Sequence, residues 1–152
     1  MTFRPSDAAW PAWSASPCLF EAGAGAQALA LSLAWVEAQS KAQGLSPKAQ
    51  FAINLCADEA LANITQYART HDQQAANIWL ACGATVSGFA LEITDNGTPF
   101  DPTQAELRAL SSTLEDTPIG GHGLRLMRQY LHRLLYRREN DRNILLLEVT
   151  CD

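Results

Sequence analysis

The feature that most constrains this fold is a long stretch without glycine or proline that follows Ser46 and Pro47 and runs to about Ala68. Serine is a preferred N-cap and proline suits the first helical position, so the sequence predicts one continuous helix here. Apolar residues such as Phe51 and Leu55 give this helix an apolar stripe. The rest of the chain must therefore supply a surface against which the stripe is buried.

The remaining segments alternate between helical and strand patterns. An alanine- and leucine-rich segment, Ala26 to Gln43, has helical spacing and follows a short predicted strand at Cys18–Glu21. Two strands are predicted next, at Asn77–Cys82 and Phe89–Thr94, and two helices follow, at Gln104–Leu114 and Leu124–Leu134. The last predicted elements are strands at Leu135–Arg138 and Ile144–Val149, which the polar connection Asp141–Asn143 joins. This order predicts an α+β fold, a two-layer α/β sandwich with a mostly antiparallel sheet and helices on one face.

Composition limits the class of protein. The 152 residues are 47% apolar and 18% charged, which fits one globular domain; we expect an N-terminal tail over residues 1–17 and a single domain over residues 18–152. No apolar run is long enough to span a membrane and no secretory signal is recognisable, so a cytoplasmic protein is expected. The net charge of −5 argues against binding to nucleic acid.

The cysteines do not suggest a metal or disulfide site. Cys18, Cys56, Cys82 and Cys151 lie far apart, without a CxxC pair or a histidine at metal-ligand spacing. Cys56 and Cys82 occur within apolar runs and are interpreted as small core residues.

A first polar cluster lies inside the long predicted helix. Glu59 and Asn63 are four residues apart and therefore share a helix face, which Gln66 extends. A carboxylate can accept a proton from an attacking hydroxyl, and an amide oxygen can complete a Mg²⁺ shell. The alternative is an ordinary solvated helix face.

A second cluster, Asp95-Asn96-Gly97, directly follows a predicted strand. A carboxylate at a strand end can accept a hydrogen bond from an exocyclic amine such as that of adenine, and the glycine lets the backbone approach a flat base. The alternative is an ordinary turn, of type I′ or a related type, for which Asp-Asn-Gly is a common sequence. The continuation Thr98-Pro99-Phe100-Asp101-Pro102 favours a longer loop over a hairpin.

A third cluster, Gly120-Gly121-His122-Gly123-Leu124, opens a predicted helix. Glycines before a helix free backbone N–H groups to bind a phosphate, and the helix dipole adds partial positive charge. The alternative is a flexible hinge, and His122 is either a phosphate contact or a simple exposed residue.

Taken in order, the three clusters resemble the nucleotide-binding boxes of the GHKL (Bergerat) ATPase superfamily. The segment Glu59 to Ala68 is similar to the helix motif of bacterial anti-sigma-factor serine kinases, Asp95–Pro102 to their adenine loop, and Gly120–Arg128 to their glycine box. The strand pair around Tyr136–Arg138 and Asn143–Leu145 is similar to their closing strands. The resemblance extends over nearly the whole chain.

The resemblance implies a role for each matched residue. Glu59 would be the general base and Asn63 a Mg²⁺ ligand; Asp95 would bind the adenine amine. The remaining nucleotide-binding positions implied are Gly97, Phe100, Gly121, His122, Gly123 and Leu124, with Thr98–Ile119 as a lid over ATP. The sequence departs from the pattern at Tyr67, where many members have His, and in a short lid whose one cation is Arg108.

The implied function is ATP- and Mg²⁺-dependent phosphorylation of a serine on a small anti-sigma-factor antagonist, with sequestration of a sigma factor and homodimer formation as further implications. An ATP-gated binding module without kinase activity is the alternative from a different class. A detached histidine-kinase catalytic domain is disfavoured, because the histidines His71, His122 and His132 include none on a preceding dimerisation helix. An α/β domain without a nucleotide site is the fourth reading.

Overall fold

The computed structural model describes residues 10–104 and 121–151. Its elements are β1 (Cys18–Ala24), α1 (Gly25–Ala42), α2 (Pro47–Tyr67), β2 (Asn77–Ala84), β3 (Gly88–Asp95), a 3₁₀ turn (Pro102–Gln104), α3 (Gly121–Tyr130), β4 (Arg133–Glu139) and β5 (Arg142–Thr150). The five strands form one antiparallel sheet in the order β1-β2-β3-β5-β4, which confirms the predicted α+β class. Within these two ranges we find no helix that combines the length and hydropathy needed to cross a bilayer.

The helices cover one face of the sheet because alternate residues of the strands point their apolar side chains toward them. The central core pairs are directly opposed residues of β3 and β5: Phe89 with Val149, Leu91 with Leu147, and Ile93 with Leu145. From the helix layer, α2 contributes fully buried Ile53 and Leu61 together with small residues. The small residues let α2 lie close to the sheet, beside the strand ends where the second polar cluster is found.

The predicted helix Leu124–Leu134 is wrong at both ends. It begins at Gly121, so two of the glycines lie inside its first turn, and it ends at Tyr130. Leu134 belongs instead to β4, where cross-strand pairing with β5 overrides its helical spacing. The predicted helix Gln104–Leu114 lies outside the described residues except for Gln104, the last residue of the 3₁₀ turn.

The predicted polar connection Asp141–Asn143 is also wrong in its bounds. Asn140 and Asp141 have φ values of 52° and 61°, and the two positive values are those that a two-residue type I′ hairpin requires. Asn143 is therefore not a loop residue; it lies in β5, directly opposite Asp95 of β3.

The part of the predicted tail that the structure describes packs on the sheet face opposite the helices. The Trp10 Nε1–H donates to Glu92 Oε2 at 3.3 Å, and the Arg137 guanidinium lies 4.3 Å from the centroid of the Trp10 ring. Trp13 forms an isolated β-bridge with Thr85. The two tryptophans thus attach residues 10–17 to the domain.

The cysteines are free thiols, and Cys56 and Cys82 are buried as predicted. Burial raises the pKa of each of these two thiols to about 12, so both remain protonated and unreactive at neutral pH. Within the described ranges no three His, Cys, Asp or Glu side chains are grouped so that they could hold a metal ion.

Ser46 caps α2 as predicted, since its Oγ accepts a hydrogen bond from the Ala49 backbone N–H at 3.1 Å. We expect Ser46→Ala to lower the free energy of unfolding by about 1 kcal/mol, because the substitution removes this acceptor from the first turn. Ser46→Asp keeps an acceptor and adds a favourable negative charge at the helix N-terminus, so it should retain the stability. Urea unfolding followed by circular dichroism tests both variants; equal stability of wild type and Ser46→Ala would contradict the capping role.

Candidate active site

A cavity of about 420 Å³ lies between α2, the start of α3, the loop after β3 and the ends of the central strands. Its described lining is mostly apolar, with a few polar side chains that converge on it. The lining residues are Ala60, Asn63, Ile64, Tyr67, Ala68, Asp95, Thr98, Pro99, Phe100, Pro102, Leu124, Met127, Tyr136, Asn143 and Leu145. All three predicted clusters contribute to this one cavity, which has the character expected of a small-molecule site.

Asp95 supplies the carboxylate of the cavity. Its Oδ1 accepts hydrogen bonds from the Gly97 backbone N–H at 2.9 Å and from Asn143 Nδ2 at 3.0 Å. None of the described residues donates to Oδ2, which leaves one acceptor oxygen for a ligand. Burial raises the pKa of Asp95 above its ordinary value of 3.8, although the two hydrogen bonds and the charge of Arg138 act in the opposite direction.

Gly97 is required by close packing. A Cβ at this position would lie 3.0 Å from Asp95 Oδ1 and 3.1 Å from the Cβ of Ala68, tighter than ordinary contacts. Neither Asn96 nor Gly97 has the positive φ of a type I′ turn, so the second cluster is not a turn of that type. The bond from the Gly97 N–H to Asp95 Oδ1 is that of an Asx turn, a related kind of turn. Gly97 is not among the described lining residues of the cavity, and its contact with a nucleotide stays a prediction.

Asn63 and Glu59 take different positions on α2. Asn63 lines the cavity, whereas Glu59, one turn earlier, does not. Glu59 lies instead beside the first turn of α3, where a Cβ added to Gly123 would overlap its Oε2 and come within 3.2 Å of its Cδ. Gln66, the third member of the predicted strip, is exposed. The strip is therefore not a uniformly solvated face, since Asn63 faces the cavity and Glu59 faces the glycine-rich turn.

The first turn of α3 contains Gly121, His122, Gly123 and Leu124. The backbone N–H groups of a first turn have no partner within their own helix and can bind an anion. Leu124 is buried and lines the cavity, so this turn lies at the cavity wall. Of His122 only the backbone position is described, and Gly120 lies outside the described residues.

Phe100 lines the cavity from the loop after β3, and 59% of its surface is exposed. Its backbone N–H donates to Asn143 Oδ1 at 3.2 Å. Of the predicted lid Thr98–Ile119, the structure describes the part up to Gln104; Arg108 lies outside the described residues. The described part of the loop thus contributes an aromatic ring at the mouth of the cavity.

The comparisons with known proteins agree with this geometry. The sequence profile of the histidine kinase-like ATPase domain matches residues 23–149. The chain belongs to the histidine kinase-like ATPase family. It is also 44% identical over 115 residues to the serine/threonine-protein kinase BtrW of Bordetella bronchiseptica, an alignment that covers 76% of this chain and 80% of that protein. The resemblance seen in the three sequence clusters is thereby confirmed.

Several residues that line this cavity were not among the predicted site residues, and they include Tyr136, Asn143 and Met127. Asn143 was interpreted as part of a turn, yet it is 5% exposed and bonded to Asp95. The sequence did contain one signal for Asn143, because this amide directly precedes the apolar run of β5. The register of the strands brings that position to the cavity. Tyr136 and Met127 carry no comparable signal, because aromatic and apolar residues at such spacings usually belong to a core.

We expect Asp95→Asn to raise the free energy of unfolding at neutral pH. The folded-state pKa of Asp95 is raised, so wild-type stability falls as pH rises from the unfolded value of 3.8 through the folded pKa. Asparagine keeps the Oδ1 acceptor for Gly97 and Asn143 but carries no charge. The stability difference between the variant and wild type should therefore be smallest in acid and grow toward neutral pH.

Urea unfolding of both proteins from about pH 4 to about pH 8 measures this difference. Asp72→Asn controls for the loss of one negative charge at an exposed position. If Asp95→Asn were less stable than wild type at neutral pH, the buried carboxylate would be a stabilising group and the argument from burial would be wrong.

Proposed function

We propose that this histidine kinase-like ATPase is a serine/threonine protein kinase that transfers the γ-phosphate of ATP to a serine of a small anti-sigma-factor antagonist. The observation that carries the proposal is that Asp95 of β3 and Asn63 of α2 line one cavity with Leu124 from the first turn of α3. The name of the similar Bordetella protein, a serine/threonine-protein kinase, supports the same activity.

The base of ATP fits the end of the cavity at Asp95. A free carboxylate oxygen in a mostly apolar wall favours a ligand that presents an N–H donor on a flat apolar ring, as adenine does through its 6-amino group. A hydrogen bond to a charged group contributes about 1.5–3 kcal/mol. In this proposal Asp95 Oδ2 accepts from the amine, and the ring lies against the apolar side chains.

The phosphates of ATP belong at the first turn of α3. The N–H groups of this first turn have no partner within the helix, and together with the positive end of the helix dipole they favour a polyanion there. A tight approach of helix and phosphate requires small residues, and Gly121 and Gly123 meet that requirement.

Asn63 is the proposed protein ligand of Mg²⁺. The described residues include no group of three or more acidic, His or Cys side chains that could hold a metal ion by themselves. This fits a Mg²⁺ ion bound mainly through ATP phosphates and water with one amide oxygen from the protein. When bound, the ion would neutralise charge on the phosphates.

Glu59 is the proposed general base. It lies one helical turn before Asn63 and beside Gly123 of the turn proposed to hold phosphates. A carboxylate at this place can accept the proton of a serine hydroxyl as the hydroxyl oxygen bonds to the γ-phosphorus of ATP, whose bond to the bridging oxygen of ADP breaks so that ADP leaves. Phosphoryl transfer relies chiefly on positioning and charge neutralisation, which the surrounding groups would supply.

The protein partners in this proposal follow from the resemblance to anti-sigma-factor kinases. Phosphorylation adds about −1.5 to −2 charge to a serine, which is enough to change how a small antagonist docks. We therefore propose that this chain phosphorylates such an antagonist and also sequesters a sigma factor. A homodimer and a cytoplasmic location are parts of the same proposal.

Glu59→Gln should abolish transfer and leave ATP binding intact, because the amide cannot accept the proton while its size is unchanged. A positioned general base contributes roughly 10²–10⁴-fold, so labelling of the antagonist by [γ-³²P]ATP should fall at least about 100-fold. Asp58→Asn, at the exposed neighbouring position of α2, is the matched control and should label at the wild-type rate.

Isothermal titration with ATP must accompany the labelling assay. Transfer that persists in Glu59→Gln would remove Glu59 as the base. ATP binding by the wild type without phosphoserine on any antagonist tested would favour the alternative function, an ATP-gated binding module without kinase activity.

Asn63→Ala should weaken binding of MgATP more than binding of ATP measured in EDTA, because the lost amide oxygen acts through the metal. We expect the gain in affinity that Mg²⁺ provides to shrink about tenfold, the effect of one lost hydrogen bond or ligand to a charged group. Gln66→Ala, an exposed position on the same helix, should leave this gain unchanged. Equal weakening of ATP with and without Mg²⁺ would contradict a metal-ligating role for Asn63.

A further inference from the structure

Asn143 has four hydrogen bonds, all to protein groups around the cavity. Its Nδ2 donates to Asp95 Oδ1 and to the Thr98 carbonyl, each at 3.0 Å. Its Oδ1 accepts from the Tyr136 hydroxyl at 2.6 Å and from the Phe100 backbone N–H at 3.2 Å. The amide nitrogen thus donates two hydrogen bonds, and the amide oxygen accepts two.

These four bonds use the full capacity of the amide, which has two N–H donors and two acceptor lone pairs. Because Asn143 is also 5% exposed, it has no polar group left for a ligand. Any influence on a bound nucleotide must pass through the groups that it holds. Asp95 is the one of these that is charged and has an oxygen without a donor among the described residues.

The hydrogen bonds from Asn143 to the loop after β3 also act at the wall of the cavity. Thr98 and Phe100 flank Pro99, and all three line the cavity. Asn143 binds the carbonyl of the first and the N–H of the third, so it fixes the start of the loop relative to β5. One side chain therefore sets both the rotamer of Asp95 and the wall next to it.

We propose that Asn143 is a positioning residue that determines base selectivity: it holds the Asp95 carboxylate and residues 98–100 in the arrangement that accepts an exocyclic amine. The inference rests on the proposed ATP-binding function and adds to it the residue that orients the base-reading group. Without Asn143, the carboxylate loses a donor and can rotate, so its free oxygen is no longer directed at one point in the cavity.

The test compares ATP with purine riboside 5′-triphosphate, which lacks only the 6-amino group, by titration calorimetry. Wild type should bind ATP at least about tenfold more tightly than the analogue, as expected for one charge-assisted hydrogen bond. Asn143→Ala should reduce this ratio by about threefold to tenfold, mainly by weakening ATP. If the substitution only disturbed the structure in general, the affinities for both nucleotides would fall by the same factor.

A second variant and a control complete the design. Asn143→Leu is nearly isosteric and has neither a donor nor an acceptor, so it fills the site without placing a second carboxylate beside Asp95 and should still lose selectivity. Asn54→Ala removes another side-chain amide, one that donates to the Gln50 carbonyl and to Ser40 Oγ away from the cavity, and it should leave the ratio unchanged.

The outcomes separate the two proposals. A ratio that falls in Asp95→Asn and in both Asn143 variants supports the inference. A ratio that falls in Asp95→Asn but stays at the wild-type value in both Asn143 variants overturns the positioning role and leaves ATP recognition by Asp95 intact. A ratio unchanged in Asp95→Asn overturns recognition of the amine by Asp95, and the inference with it.

Discussion

The antiparallel register of β3 and β5 is the constraint on which the site depends. A slip of one residue would turn the apolar side chains of a strand to the wrong face of the sheet, so burial of Leu91 and Ile93 fixes the register. Asp95 belongs to the same alternating set and therefore points toward the helices, where the cavity lies. The same ladder ends with Asp95 opposite Asn143, so core packing places these two polar groups together.

A carboxylate in a mostly apolar wall is costly, and the structure shows how the cost is limited. Burial raises the pKa of Asp95, while donors from Gly97 and Asn143 and the charge of Arg138 partly offset that effect. Arg138 also donates to the Gly97 carbonyl at 2.7 Å, so the cation stabilises the turn that carries one of the donors. The part of this free-energy cost that remains is typical of binding sites, which often need a polar atom that has no partner in the free protein.

The sequence predicted those parts of the site whose chemistry is local. Asp95 follows its strand directly and Asn63 lies on a helix with clear start signals, so pattern alone located both. Asn143 could not be located in this way, because its role comes from a partner 48 residues away in the chain. The bounds of the hairpin between β4 and β5 were also predicted wrongly. Asn140 adopts a positive φ of 52°, and the polar residues that follow it do not indicate where β5 begins.

The chemistry required opposite Asp95 leaves little choice of residue. The position must donate to a carboxylate and to the Thr98 carbonyl while it accepts from an N–H and a hydroxyl. A serine or threonine hydroxyl has one proton to donate, a carboxylate has none, and an arginine has no acceptor. Only a primary amide offers two donors and an acceptor oxygen with two lone pairs, and glutamine would extend them one methylene further into a closely packed site. The identity of residue 143 is thus set jointly by the loop, the neighbouring strand and the Asp95 carboxylate.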